Sequence, residues 1–156
     1  MRLSLAIRLA AALLTVSLVS ACASTRPSGL GVNDGQLAPC PSEPRCVSSQ
    51  APIPDTRHNI ADFIIIAKPD EAWTKLNEIV AAMPRTQIIE SQADYLYAEV
   101  TTPIMRFVDD LEFYYDRADN TIQVRSSARI GYFDGGLNRN RVERIRRELH
   151  KAGVVR

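Results

Sequence analysis

Asp109, Asp110 and Glu112 bring three carboxylates close together, and Arg125 and Arg129 follow beyond a short polar turn. Such a set can do three kinds of chemistry. Two carboxylates two apart on one strand lie ~7 Å from each other, a separation compatible with acid and base in a hydrolase. Carboxylates facing arginines across paired strands make ion pairs, each contributing ~0.2–1 kcal/mol and fixing register. Arginine forks beside tyrosine rings make a recognition surface for a partner. Calcium is a weaker reading, because the arginines oppose a cation and no oxygen-rich loop appears. The other usual reagents are scarce. The chain has two histidines. His58 sits in a proline-flanked loop and His150 at a helix end, and both are expected to be solvated. No phosphate-binding glycine loop, nucleophile elbow or zinc helix is present. Neither a cofactor nor a metal site is expected.

The elements that would position these groups follow from periodicity. Leu111 to Tyr115 and Thr121 to Ile130 alternate in polarity around the turn Asp116–Asn120, the pattern of a β-hairpin. A turn centred there sets Glu112 opposite Arg125, Tyr114 opposite Gln123, and Asp110 opposite Ser127 with Arg129 diagonal. One face then shows Asp110, Glu112, Tyr114, Arg125 and Arg129, joined by Tyr95, Tyr97 and Glu99 from the neighbouring strand. This is the candidate binding face. Leu111, Phe113, Tyr115, Ile122, Val124, Ala128 and Ile130 point the other way, toward the helices. Asp109 falls on that apolar side, opposite Ala128. A buried carboxylate needs a partner, which backbone amides or an arginine such as Arg106 would supply.

Asp62–Ala67 is a β-branched run that predicts a buried strand. Pro69, Asp70 and Glu71 open a helix over 69–83, whose apolar positions recur at helical spacing until Pro84. Thr86–Glu90 and Tyr95–Thr101 are strands. A last helix starts near Asn138 as N-cap, buries Val142, Ile145 and Leu149, and ends at Gly153. Arg139, Arg141, Arg144, Arg146 and Arg147 spread around it as a solvated face, or else Arg139 and Arg141 brace the preceding glycine loop. The order strand, helix, four strands, helix predicts a two-layer α+β domain. About five antiparallel strands form its sheet, with both helices on one face and the other face open or lightly covered.

The N-terminus carries a different message. Arg2 and Arg8 precede an apolar stretch, Leu9–Val19, too short for a permanent span of roughly 20 residues and suited to a secretory signal. Val19-Ser20-Ala21-Cys22 resembles the lipobox of bacterial lipoproteins. The resemblance implies cleavage before Cys22 and acylation of that cysteine. With Ala23 rather than aspartate next, the sorting pattern of such proteins implies the outer membrane, facing the periplasm. Residues 1–21 are thus expected to be removed, and 22–38, small and polar, to form a flexible tether. Residues 39–156 would then be a single domain. Two of the 19 basic residues lie in the signal, leaving 17 against 18 acidic ones. A balance so near neutral gives no reason to expect nucleic acid. The partners to expect are the membrane, through lipid, and another envelope protein or a small ligand. If Cys22 carries lipid, Cys40 and Cys46 remain as a pair in an oxidising compartment. Zinc and redox readings lack a second ligand pair and a Cys-x-x-Cys spacing.

Several stretches together resemble domain-of-unknown-function family 1499. They are Cys40-Pro41-x-x-Pro44-x-Cys46-Val47-Ser48-Ser49-Gln50, Pro84-Arg85-Thr86, Ala98-Glu99 and Phe107-Val108-Asp109-Asp110-x-Glu112-Phe113. Arg125-Ser126-Ser127-Ala128-Arg129-x-Gly131-Tyr132 and Asn138-Arg139-x-Arg141-Val142-Glu143 complete the set, in family order, from residue 39 to about 150. Arg45 departs from the small polar residue usual there, and Gly135 from a bulkier one. The family has no established activity. The resemblance therefore implies organisation and not a reaction, and the two readings to separate are a non-catalytic envelope module and a hydrolase using Asp109, Asp110 or Glu112.

Overall fold

The computed structural model describes residues 25–156. The expectations on residues 1–24, the export signal and the lipidation of Cys22, lie outside the described residues. The elements are β1 (Val32–Asn33), β2 (Gln36–Leu37), β3 (Cys46–Ser48), β4 (Phe63–Ile64), α1 (Pro69–Ala81), β5 (Thr86–Ser91), β6 (Tyr95–Thr101), β7 (Val108–Asp116), β8 (Thr121–Ala128) and α2 (Leu137–Lys151). Strands β3 to β8 form one six-stranded antiparallel sheet in the order β3-β8-β7-β6-β5, with β4 also paired to β8. The expected α+β fold is the observed one.

The β7–β8 hairpin has the register its alternation predicts: Glu112 faces Arg125, Tyr114 faces Gln123 and Asp109 faces Ala128. Its apolar side meets both helices. Leu111, Phe113, Ile122 and Val124 pack with Ala72, Leu76 and Val80 of α1 and with Val142, Ile145 and Leu149 of α2. Helix α1 begins at Pro69, with Asp70 and Glu71 in its first turn. It ends at Ala81, two residues before the predicted end, and the Met83 amide then closes a tighter turn onto the Val80 carbonyl.

Four local expectations need correction. Helix α2 starts at Leu137, and Asn138 lies inside it rather than capping it. Asp134 does the capping, accepting the Gly136 and Asn138 amides at 2.9 Å each, so free N–H groups at the positive end of the helix meet a carboxylate. In Asp62–Ala67 only Phe63 and Ile64 pair with β8, and Ile66 is exposed; Phe63 and Ile65 are buried and Ala67 packs against the core beside them. Ile130, expected in the core, lies beyond the end of β8 and is exposed. No strand is expected at Cys46–Ser48, yet β3 lies there and pairs with β8. A disulfide joins Cys40 and Cys46 with 5.6 Å between their Cα atoms, and it fixes the chain as it enters the sheet.

The largest correction concerns the tether. Of residues 22–38, those from 26 to 37 fold back over the sheet. The β1–β2 hairpin turns at Asp34-Gly35, both with positive φ (50° and 74°), as a two-residue hairpin turn requires. Gln50 clamps it, accepting the Leu37 amide at 2.8 Å and donating to the Gly35 carbonyl at 2.9 Å. Leu37 is buried against Tyr95 and Tyr97.

Candidate functional site

The predicted face exists as a constellation, but it is not open. The alternation of β6, β7 and β8 brings Tyr95, Tyr97, Glu99, Asp110, Glu112, Tyr114, Arg125 and Arg129 to one side, and residues 26–37 roof it. Glu112 is 0% exposed and Asp110 1%. Glu112 Oε2 pairs with Arg125 Nη1 at 3.0 Å, and Oε1 accepts the Tyr95 hydroxyl at 2.9 Å and the Gly31 amide at 2.8 Å. Asp110 accepts the Tyr97 hydroxyl at 2.7 Å and two nitrogens of Arg129 at 2.7–3.1 Å. Arg129 also reaches Glu99 at 2.5 Å. Glu99 in turn holds the exposed Arg26 at 2.7 Å, and that guanidinium lies over the Tyr97 ring. Tyr114 is only half buried.

The electrostatics follow from this closure. Burial, reinforced by the Glu112 charge, pushes the Tyr95 hydroxyl well above its ordinary range, and burial with Asp110 does the same to Tyr97. Burial works against the charge of Arg129, but hydrogen bonds from Asp110 and Glu99 outweigh it and raise its pKa. For Glu99 burial is likewise outweighed, by Arg129 and Arg26, and its carboxyl is held below the usual range. The phenols thus stay protonated donors and the arginines stay charged, a network that locks strands together. Between the roof and the sheet it leaves a cleft of about 550 Å³, lined among others by Tyr95, Tyr97, Tyr114 and Leu30.

Asp109 lies on the helix side as expected, but its partner is Arg141 and not Arg106. Arg106 stands exposed in the β6–β7 loop with φ 58°, while Arg141 reaches Asp109 Oδ2 at 2.5 Å. The same guanidinium binds the Ser126 hydroxyl oxygen at 2.9 Å and the Asn138 side chain, and Asn138 donates to Asp134 at 2.8 Å. Arg141 is therefore no solvated residue of α2. Its spacing could have found it, since Asn138, Arg141, Ile145 and Leu149 recur at three and four residues along the buried stripe. Burial raises the Asp109 pKa despite Arg141. Above this pair, the loops 102–107 and 130–137 enclose an apolar cleft of about 390 Å³ with Asp109 and Asp134 in its lining.

His150 is exposed as expected, but His58 is not: it is 4% exposed, with Nδ1 2.6 Å from Asp55 Oδ2 and Nε2 3.2 Å from the Glu43 carbonyl. It pins the 49–60 loop under the disulfide. The His58 hydrogen bond lowers the Asp55 pKa. A depressed folded-state carboxyl contributes stability above its unfolded pKa and loses it as pH falls through the folded value. Asp55→Asn should accordingly melt below wild type at neutral pH, with the gap closing in acid below the usual carboxylate range. Thermal unfolding across that range checks the sign, and a gap that does not change with pH would refute it.

Fold and site together define an α+β domain of a six-stranded sheet, a two-stranded roof and two helices, with arginine–carboxylate pairs buried on both faces of the larger sheet. The chain belongs to domain-of-unknown-function family 1499: residues 36–149 match the family described as Protein of unknown function (DUF1499). No curated protein matches the chain. The stretches that carried the resemblance meet in space. Residues 107–113, 125–132 and 138–143 supply Asp109, Asp110, Glu112, Arg125, Ser126, Arg129, Asn138 and Arg141 to the two networks just described, which Tyr95, Tyr97, Glu99 and Asp134 complete.

Proposed function

We propose that this protein is a lipid-anchored module of the bacterial envelope, acylated at Cys22 and facing the periplasm from the outer membrane, that binds and does not catalyse. The observation that carries the second half is the state of the carboxylates. A hydrolase needs one carboxyl free to give a proton and one free to take it. Here Asp109, Asp110 and Glu112 each sit against a different arginine at 2.5–3.0 Å, which is the arrangement of a scaffold. The preformed space is the roofed cleft, in which Tyr95, Tyr97 and Tyr114 stand beside Leu30 and Ile89 and beside the polar groups of Arg26, Glu90, Gln92 and Asp94, a concave site that offers a ligand both ring faces and hydrogen-bonding partners. The ligand is another envelope component or a small molecule held against Tyr114.

Two measurements test the two halves separately. Cys22→Ser should release the protein from membranes or leave an uncut precursor; mature, membrane-bound Cys22→Ser protein would end the anchor reading. Tyr114→Ala, at a half-buried side chain outside the ion pairs, should keep the fold and lose the ligand that wild type retains from envelope extract. Identical recoveries from the two proteins would remove the cleft from consideration.

A further inference from the structure

The end of the sheet that carries the β6–β7 loop presents apolar side chains to solvent: Ile104 is 86% exposed, Met105 65%, Phe133 67%, Tyr132 73% and Leu137 49%, with Phe107 at 36%. They come from two loops that close one cleft, so they form one patch rather than scattered residues, and such patches mark contact surfaces. Nothing inside the domain explains them.

The path of the chain says what they meet. Arg26 is bonded to Glu99, and Glu99 pairs with Asp110 only two residues before β6 and β7 part into the apolar loop. The described chain therefore begins, at Thr25 and Arg26, beside this same end. Cys22 and Arg26 are four residue steps apart in sequence, a reach of at most ~14 Å even fully extended. With the roof folded down, the tether available to an anchored protein is these few residues and not the seventeen of 22–38. Arg85, bonded through both its carbonyl and its Nε to Thr101, and Arg106 stand exposed at the same end, where anionic headgroups would meet them.

We infer that the loops 102–107 and 130–137 dock on the lipid surface of the membrane that holds the anchor, with Ile104, Met105 and Phe133 entering the headgroup–acyl boundary. This rests on the lipid-anchor reading. A short tether keeps the patch at high effective concentration over the bilayer, so a contact too weak to recruit a free protein is still populated. Docking also sets orientation. The β5–β6 turn, at the far end of the sheet, points away from the membrane.

The molecule contains its own control. Trp73, the single tryptophan, donates to the Gln92 carbonyl at 3.0 Å, at that far end. Acylated full-length protein, with its acyl chains verified at residue 22 by mass spectrometry, is reconstituted in nanodiscs of phosphatidylethanolamine and phosphatidylglycerol. Discs with brominated acyl chains are compared with unbrominated ones. Wild-type emission should be unchanged, whereas Phe133→Trp, and Ile104→Trp from the other loop, should lose emission in brominated discs with one protein per disc. Acylated variants that stay unquenched would overturn the docking and leave the anchor standing. Quenching that vanishes at one copy per disc would assign the patch to a second copy instead. A bare residue 22 would overturn both readings.

Discussion

Arg141→Ala should lower the unfolding free energy by about 3–5 kcal/mol, the range for breaking a buried ion pair by removing one partner. The size comes from what is left behind. Asp109 is 1% exposed and is left without its cation, while the Ser126 and Asn138 oxygens lose a donor in the same step. The pH dependence gives the loss a signature. Burial already raises the Asp109 pKa, with Arg141 opposing; without Arg141 the folded carboxyl holds its proton to still higher pH than the unfolded chain does. Between those two values folding takes up a proton, so the variant regains stability as pH falls through the window. Asp109→Asn placed in Arg141→Ala should recover part of the loss at neutral pH and abolish the acid recovery. Urea unfolding at neutral and acid pH measures both. A loss within about 1 kcal/mol, the scale of a solvated pair, would show that the two groups do not form a buried bridge.

Much of this was legible in the residues, and the omissions have physical causes. The β7–β8 register could be read because both strands alternate strictly and a short polar turn joins them; a shift by one residue would put every apolar side chain on the wrong face. That register alone correctly gathered Asp110, Glu112, Tyr114, Arg125 and Arg129. What it could not say is whether the face was open, because the cover comes from residues 26–37, which contain no apolar run to betray burial. The one signal there was Asn33-Asp34-Gly35, a hairpin turn with too little strand on either side to be noticed. Strand β3 hid for the same reason: three residues next to a disulfide read as loop. Arg141 was misjudged because five arginines along one helix suggest solvent, although its spacing to Ile145 put it on the buried stripe. Arg106 was preferred as the Asp109 partner for its nearness in sequence, but a positive φ in an exposed loop turns it away from the sheet.

Glu112→Ala should be about as damaging as the loss of Arg141, about 3–5 kcal/mol, and should also lift the roof. Glu112 accepts from three donors that belong to different parts of the chain: Arg125 on β8, the Tyr95 hydroxyl on β6 and the Gly31 amide in the roof. Removing it strands a guanidinium that is 7% exposed and whose Nε already has no partner among the described residues. It also frees the Gly31 amide, so hydrogen exchange in residues 26–37 should quicken by more than exchange in α1 or α2. Arg26→Ala is the contrast: its ion pair with Glu99 lies at the exposed edge of the roof, where solvent screening leaves such pairs little net effect, and unfolding should barely move. If Glu112→Ala left Gly31 exchange unchanged, residues 26–37 would be held by Arg26, Leu37 and Gln50 without it. The buried carboxylate would then be a device of the sheet, with no part in closing the tyrosine cleft.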